Sequence, residues 1–178
     1  MIKKSIFAGF GGQGILMMGY VLAYAAMNEG KSVTYLPAYG AEVRGGTAHC
    51  TISIGDEEIA SPIASVPDYL AIMNAPSLEK FQNMLKKHGD CLVNTSLVQK
   101  DSIRKDIEIY KLSVSEMAEN LGDIRCANMI MLGAFLKVSG LVKPESILGV
   151  LEKTFAGKKK KVVERNEQAL WAGYEAIS

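Results

Sequence analysis

Four glycines near the N-terminus could shape a binding site for a phosphate group. Gly9, Gly11 and Gly14 have the Gly-x-Gly-x-x-Gly spacing, and they lie between a predicted strand and a predicted helix. In dinucleotide-binding proteins, such a turn lets backbone N–H groups approach a pyrophosphate at the amino end of the helix. The turn Gly9–Gly14, which also contains Gly12 and Gln13, is therefore a candidate cofactor-binding segment.

The other features of a nucleotide site do not accompany this turn in the sequence. A dinucleotide site needs an acidic residue at the end of the second strand, about 20 residues on, but that strand ends in Tyr35-Leu36-Pro37. An ATP-binding loop needs Lys-Ser/Thr after its last glycine, and this chain has Ile15-Leu16 there. Two interpretations stay open. The turn binds an anion at the helix terminus, which carries about half a positive charge, or it only joins a strand to a helix.

The segment Pro37–Thr47 is the second candidate site. It is longer than the ~2–6 residues that usually connect elements in α/β units, and long loops at the carboxyl ends of strands often form sites. In an extended segment the side chains of Glu42 and Arg44 would leave the same face, and Gly45-Gly46 permits close approaches of the backbone. With Tyr39, these residues predict contact with a ligand or another subunit. The alternative is a charged loop that is only solvated.

The sequence predicts no catalytic and no metal-binding residue in this chain. Cys50, Cys91 and Cys126 are far apart and form no Cys-x-x-Cys pair, so no zinc or iron–sulfur site can be assembled locally. We interpret the cysteines as buried small hydrophobic residues. Strand alternation places the side chains of His49 and Cys50 on opposite faces, and no Gly-x-Ser-x-Gly elbow is present.

Length and charge restrict the possible partners. The 178 residues suit a single domain spanning 1–178. Twenty basic and 19 acidic side chains nearly cancel, which gives no reason to expect nucleic acid as a partner. No apolar run reaches the ~18 residues that cross a bilayer, and Met1-Ile2-Lys3-Lys4 leads directly into a strand pattern without a secretion signal. We expect a cytoplasmic location and no membrane contact.

The hydrophobic pattern predicts one Rossmann-like α/β domain. The glycine turn joins a strand to a helix and then to a second strand that Pro37 ends, which is a βαβ unit. We therefore expect a mostly parallel sheet with helices on both faces and a β-hairpin excursion over residues 47–59. Ser113 and Glu116 have the spacing of a helix-capping box. The run Lys158–Lys161 is predicted to be a solvated turn, or else a docking patch for an acidic partner or an anionic cofactor.

Two segments in this order and at this distance resemble the gamma subunit of 2-oxoacid:ferredoxin oxidoreductases. They are GFGGQG at Gly9–Gly14 and PAYGAEVRGGT at Pro37–Thr47, followed by the strand TAHCTISIGDEEIASP. Asn166, Ala169 and Gly173 on the last predicted helix also fit that family. The resemblance extends over essentially the whole chain, and the form PAYGAEVRGGTAHC is closer to the 2-oxoglutarate and branched-chain 2-oxoacid versions than to the pyruvate version.

The resemblance implies a subunit that does not catalyse alone. Such complexes decarboxylate a 2-oxoacid, here with 2-oxoglutarate as the best expectation, to an acyl-CoA and reduce ferredoxin. The resemblance places thiamine diphosphate and the iron–sulfur clusters in the alpha, beta and possibly delta subunits, and it implies no cofactor in this chain. It also implies that the glycine turn and the loop with Tyr39, Glu42, Arg44, Gly45, Gly46 and Thr47 face coenzyme A or a neighbouring subunit. The alternatives are a free-standing nucleotide-binding oxidoreductase and a non-catalytic assembly module.

Overall fold

A six-stranded sheet forms the centre of the computed structural model, which describes residues 1–40, 46–102, 104–155 and 160–178. The strands are β1 Lys3–Phe10, β2 Ser32–Tyr39, β3 Thr47–Gly55, β4 Tyr69–Ile72, β5 Asp90–Asn94 and β6 Glu108–Leu112. Their spatial order is β2-β3-β1-β4-β5-β6. Neighbours among β1, β4, β5 and β6 pair in parallel, whereas β3 pairs antiparallel with both β1 and β2. β2 therefore runs in the direction of β1, and the predicted mostly parallel sheet with a β-hairpin excursion is confirmed.

The hairpin consists of β2 and β3, and the prediction that it lies within residues 47–59 is wrong. β3 pairs with β2 over its whole length, from Ser32 opposite Gly55 to Tyr39 opposite Ala48, so residues 56–59 have no role in the sheet as a strand. Pro37 does not end β2 as predicted, because it pairs with Cys50 inside the ladder. The edge position of β2 explains this, since an edge strand tolerates a residue without an N–H group.

Helices cover both faces of the sheet, as predicted. They are α1 Ile15–Asn28, α2 Ala75–Phe81, α3 Val114–Asn120, α4 Ala127–Ser139, α5 Pro144–Thr154 and α6 Lys160–Glu175, with short 3₁₀ turns at Gln82–Met84 and Ile124–Cys126. α2 packs its Leu78 and Phe81 on one face, in a cluster with Leu70 and Ile72. The other five helices contribute to the larger cluster on the opposite face.

The ends of the helices follow the sequence signals in part. Gly140 ends α4 in the left-handed conformation with φ 60°, and Pro144 lies in the first turn of α5, which are the positions that glycine and proline favour at helix ends. Ser113 precedes α3 but makes no side-chain capping hydrogen bond, so the predicted capping box does not form. α2 begins after Asn74, whose side chain caps the helix by accepting a hydrogen bond from the Ser77 N–H group.

Two glycines allow α4 and α6 to pack backbone against backbone. A Cβ atom on Gly133 would overlap the Leu170 carbonyl oxygen, and one on Gly173 would overlap the Ile130 carbonyl oxygen. This crossing fixes α6 against the core and thereby positions the residues of its first turns. None of the helices in the described part of the chain combines the length and apolar composition that a membrane crossing requires.

Candidate functional site

The glycine turn between β1 and α1 is held firmly by its own glutamine. The Gln13 Oε1 atom accepts a 2.6 Å hydrogen bond from the Phe10 N–H group, and Gln13 Nε2 donates to the Met73 carbonyl at 3.4 Å. A Cβ atom on Gly9 would lie 2.5 Å from Gln13 Oε1 and 2.9 Å from Met73 Cβ. Gly9 therefore leaves the space in which Gln13 ties the turn to the end of β4.

Gly12 and Gly14 have backbone conformations that side chains disfavour. Their φ angles are 98° and 74°, in the left-handed region that only glycine adopts readily. Gly14 is also the N-cap of α1, and its carbonyl accepts a 3.2 Å hydrogen bond from Asn128 Nδ2 on α4. A Cβ atom on Gly14 would lie 2.9 Å from Asn128 Cγ, whereas one on Gly12 would meet nothing within 4 Å. The turn is thus packed at Gly14 and open at Gly12.

The structure brings the glycine turn and the base of the long loop together. The Gly11 N–H group donates a 2.8 Å hydrogen bond to the Gly46 carbonyl, and Phe10 lies opposite Thr47 in the β1–β3 ladder. The loop is closed at its base by a 3.0 Å hydrogen bond from the Gly40 N–H group to the Thr47 carbonyl. Tyr39 precedes this closure and has 70% of its surface exposed. Glu42, Arg44 and Gly45 lie outside the described residues.

The second half of a dinucleotide site does not form around the turn in the part of the chain that the structure describes. β3 lies between β1 and β2, so the end of β2 is not beside the turn, where a ribose-binding acid would be needed. The Gly11 N–H group is already bonded to Gly46. Glu29 accepts a 2.7 Å hydrogen bond from the Lys143 N–H group and pairs with Lys31 at 3.1 Å. Glu29 therefore joins α1 to the start of α5.

A crevice opens beside Gly12 at the carboxyl ends of β1 and β4. The helix that follows β1 lies on one face of the sheet and the helix that follows β4 on the other, which is the arrangement where open α/β sheets bind ligands. A cavity of about 330 Å³ occupies this crevice. Its lining residues come from the turn, the segments that follow β4 and β5, α3, the 3₁₀ turn Ile124–Cys126 and the start of α4: Gly12, Gln13, Met73, Leu97, Ser115, Glu119, Ile124, Arg125 and Ala127.

A second cavity, of about 490 Å³, lies on the other side of Arg125. It is bounded by α1, the start of α4 and α6, through Met17, Asp123, Arg125, Cys126, Asn128, Met129, Phe155, Lys161, Val162, Arg165 and Asn166. Three cationic side chains and one carboxylate line it, so its walls carry an excess of positive charge. Arg125 borders both cavities.

Asp123 orders the two arginine side chains of the second cavity. Its Oδ2 atom accepts hydrogen bonds from Arg125 Nη2 at 2.8 Å and from Arg165 Nη1 at 3.1 Å. The Arg125 guanidinium first, and then Arg165, hold the pKa of the Asp123 carboxyl well below its usual range. The Arg125 side chain remains 84% exposed, and it can therefore reach an anion without leaving a buried position.

His49 and the cysteines lie in the environments that the sequence predicted. The His49 ring packs against Phe81 with 5.0 Å between ring centroids, on the α2 face. The Cys50 thiol faces α1 and reaches the Ile15 carbonyl at 3.7 Å, so these neighbours lie on opposite faces. Cys50, Cys91 and Cys126 are all free and buried. Among the described residues, no three His, Cys, Asp or Glu side chains come close enough to hold a metal ion.

Several site residues were not predicted from the sequence. Arg165 comes beside Asp123 and Arg125 only when α6 packs against the start of α4, and nothing in the sequence spacing indicates this. Met73 joins the turn through its carbonyl group alone, which any residue would supply. Asn128 could have been singled out from the sequence, because it is an amide side chain within the otherwise apolar run of α4.

Comparison with known proteins gives one family. Its model, described as pyruvate ferredoxin/flavodoxin oxidoreductase, matches residues 4–176. The ketoisovalerate oxidoreductase subunit VorA of Methanothermobacter marburgensis is 39% identical, over 93% of this chain and 34% of its own length. The 2-oxoglutarate synthase subunit KorC of Methanocaldococcus jannaschii is 33% identical, over 98% of this chain and 94% of its own length.

A solved structure shares the fold over nearly its full length. The gamma subunit of a keto/oxoacid ferredoxin oxidoreductase from Geobacter sulfurreducens is 27% identical, with a TM-score of 0.83. The match covers 98% of this chain and 97% of that subunit. By contrast, the chain spans only about a third of the length of the VorA relatives that it matches.

Proposed function

Because the chain belongs to the pyruvate ferredoxin/flavodoxin oxidoreductase family, we propose that it is the gamma subunit of a 2-oxoacid:ferredoxin oxidoreductase complex. The observation that carries this proposal is the full-length likeness to the Geobacter sulfurreducens gamma subunit. The complex oxidatively decarboxylates a 2-oxoacid, transfers the acyl group to coenzyme A and reduces ferredoxin. The family resemblance of the two glycine segments supports the same assignment.

The proposed partners are the alpha and beta subunits and, in some assemblies, a delta subunit. Thiamine diphosphate and the iron–sulfur clusters are assigned to those chains. This chain supplies no catalytic residue, so the isolated protein should not oxidise a 2-oxoacid. The near-complete overlap with KorC supports a separate subunit of this size, while the VorA relatives contain a matching region inside a longer chain.

We propose that the glycine turn and the loop Tyr39–Thr47 form the surface that faces coenzyme A. The hydrogen bond from Gly11 to Gly46 supports this, because it makes one continuous surface from the two segments. Gly12 is exposed and open beside the crevice. Arg125, which lies between the two cavities, offers a cation to the phosphate groups of coenzyme A. Glu42, Arg44 and Gly45 belong to the same proposed surface by the sequence resemblance.

Replacement of Arg125 tests the role of this surface. In the assembled complex, we expect Arg125→Ala to raise the KM for coenzyme A about fivefold, the effect of losing an exposed ion pair of about 1 kcal/mol. Lys100→Ala is the matched control, because the Lys100 side chain is 77% exposed, pairs with Glu79 at 3.2 Å and lines neither cavity. Equal KM values for the two variants would count against a coenzyme A contact at Arg125.

We propose 2-oxoglutarate as the substrate of the complex, and 2-oxoisovalerate as the second candidate. The loop sequence PAYGAEVRGGTAHC and the end-to-end match with KorC support 2-oxoglutarate. The higher identity to VorA, 39% against 33%, favours the branched-chain acid. Because the glycine segments do not contact the reacting carbon in this proposal, the choice depends on chains other than this one.

The deciding experiment is purification of the tagged chain from its native cells without oxygen. The eluate is assayed with pyruvate, 2-oxoglutarate and 2-oxoisovalerate, each with coenzyme A and an artificial electron acceptor. We expect larger partner chains and activity that depends on coenzyme A, with the highest kcat/KM for 2-oxoglutarate. A highest value for 2-oxoisovalerate would assign the second substrate.

Two results would replace the proposed function. Oxidation of a 2-oxoacid by the isolated chain would show that it is not an accessory subunit. Micromolar binding of NAD or NADP, measured by calorimetry, would support a free-standing nucleotide-dependent oxidoreductase instead. An assembly module without a coenzyme A role is favoured if loop variants such as Gly45→Val weaken the complex and leave its dependence on coenzyme A unchanged.

A further inference from the structure

The composition of α1 is unusual for a helix on the outside of a domain. From Ile15 to Met27 it contains no charged, amide or aliphatic hydroxyl side chain. A helix that is hydrophobic on all sides is normally buried on all sides. α5 and α6, by comparison, place charged side chains such as Glu152 and Glu164 outward. The outer face of α1 therefore has the composition of a covered surface.

That outer face is a continuous stripe of large side chains, which we call the α1 stripe. It consists of Met17, Tyr20, Tyr24 and Met27, which the helical period places within an arc of about 80°. Met17 is 37% exposed, Tyr24 46% and Met27 56%, and the tilted rings of Tyr20 and Tyr24 are in contact, with 4.5 Å between their centroids. Tyrosine and methionine are the residue types that interface cores favour.

The surroundings of the α1 stripe have a defined shape and charge. A cavity of about 270 Å³ lies between Tyr20 and Tyr24 of α1 and Val150 of α5, with Lys153 at its edge. At the other end, Met17 also lines the cationic cavity that contains Arg125. An apolar stripe with a groove beside it and cations at both ends fits a protein surface that offers an apolar side chain and carboxylates around it.

We propose that the α1 stripe is the surface by which this chain docks on the catalytic chain of its complex. The inference rests on the proposed function. The VorA relatives support a larger chain of the complex as the partner of the stripe. In them the matching region makes up about a third of a longer chain, so the remaining two thirds are covalently joined to this region and can pack on one of its faces. Permanent interfaces of this kind are more apolar than the ordinary protein surface.

Charge placed in the α1 stripe tests the proposal in the whole complex. In the variant Tyr24→Glu/Met27→Glu, glutamate matches the helix propensity of methionine and exceeds that of tyrosine. The control Ile63→Glu/Val66→Glu adds the same charges at two apolar residues that are 59% and 62% exposed, between β3 and β4. A conservative variant, Tyr24→Phe/Met27→Leu, keeps the apolar stripe. Each tagged chain is purified from native cells, and the recovered larger chains are measured per tagged chain.

We expect the glutamate variant of the α1 stripe to recover at least about tenfold less of the larger chains than the wild type. Its isolated chain should melt like the wild type by circular dichroism, while the control and the conservative variant recover the partners normally. Normal recovery by the glutamate variant would overturn the proposal. So would a wild-type dimer, detected by sedimentation, that the glutamate variant abolishes without loss of the larger chains, because a second copy would then occupy the stripe.

The experiment separates this inference from the proposed function. If the wild-type chain recovers no larger chain and no 2-oxoacid oxidation, the proposed function fails and the docking inference fails with it. If the wild-type complex is active and the glutamate variant assembles equally well, only the docking inference fails.

Discussion

Gly14, the N-cap of α1, has a left-handed backbone conformation, and its replacement by alanine tests how much side-chain packing and backbone strain each contribute to the loss of stability. Gly14→Ala introduces a Cβ atom at φ 74° that overlaps Asn128 Nδ2 and lies 2.9 Å from Asn128 Cγ. Asn128 is only 6% exposed and belongs to α4, which is fixed by its crossing with α6. The amide therefore has little room to move. Gly12→Ala is the matched control, because Gly12 has φ 98° but nothing within 4 Å of its added Cβ.

The expected cost differs between the two variants. A left-handed non-glycine residue costs about 1–2 kcal/mol, and this is the whole cost for Gly12→Ala. Gly14→Ala bears that strain and also an overpacking cost of about 1–3 kcal/mol, so we expect a loss of about 2–5 kcal/mol. This is a large part of the ~5–15 kcal/mol that stabilises a typical domain. It corresponds to a lower Tm by about 4–20 °C for a chain of this size.

Urea unfolding of the isolated chain, followed by circular dichroism, measures these free energies. A third protein, Gly14→Ala/Asn128→Ala, removes the side chain that the new methyl group meets. We expect it to be more stable than the sum of the two single changes implies, by about 1–3 kcal/mol, as contacting residues show in double-mutant cycles. Within the complex, Gly12→Ala should also raise the KM for coenzyme A if the turn faces that substrate.

Two results would refute this reasoning. If Gly14→Ala and Gly12→Ala lose the same free energy within about 0.5 kcal/mol, the contact with Asn128 has no energetic weight. If the double variant shows no coupling, the cost of Gly14→Ala comes from strain alone, and the tight packing of the turn on α4 is not what fixes its shape.

Three further outcomes follow from single contacts. Gly173→Ala should lower the Tm strongly or prevent folding, because its Cβ atom overlaps the Ile130 carbonyl oxygen. Gly149→Ala, which has open space around its Cβ atom in α5, should raise stability by up to about 1 kcal/mol. Thermal melts compare the two variants. Burial raises the pKa of the Cys50 thiol to about 12, so iodoacetamide at pH 8 should label it only after unfolding, which mass spectrometry can check. Burial, and secondly a nearby lysine, lowers the pKa of His49. The stability that its neutral form provides should therefore be complete above pH ~6.5 and decline below it. Unfolding titrations should show a smaller decline for His49→Gln.

Local sequence patterns predicted most of the elements correctly. β1, the glycine turn and α1 follow from patterns that act within a few residues, so this order of elements can be read from the chain. The interpretation of Pro37 as a strand end was wrong because its tolerance depends on β2 being an edge strand. The prediction of a β-hairpin over residues 47–59 was also wrong, because the hairpin partner of β3 is β2. Pairing over a distance depends on the register of the whole sheet, which short patterns do not contain.

The candidate site divides in the same way. The sequence by itself determined the glycine turn and the family, because glycine spacing and turn chemistry are local and specific. It placed the bounds of the loop too widely, since Pro37–Tyr39 belong to β2 and Thr47 to β3. Only the tertiary structure decided that Gly11 bonds to Gly46, that β3 separates β1 from β2, and that Arg165 of α6 reaches Asp123. These contacts join residues far apart in the chain, and their free energy exists only after the helices have packed on the sheet.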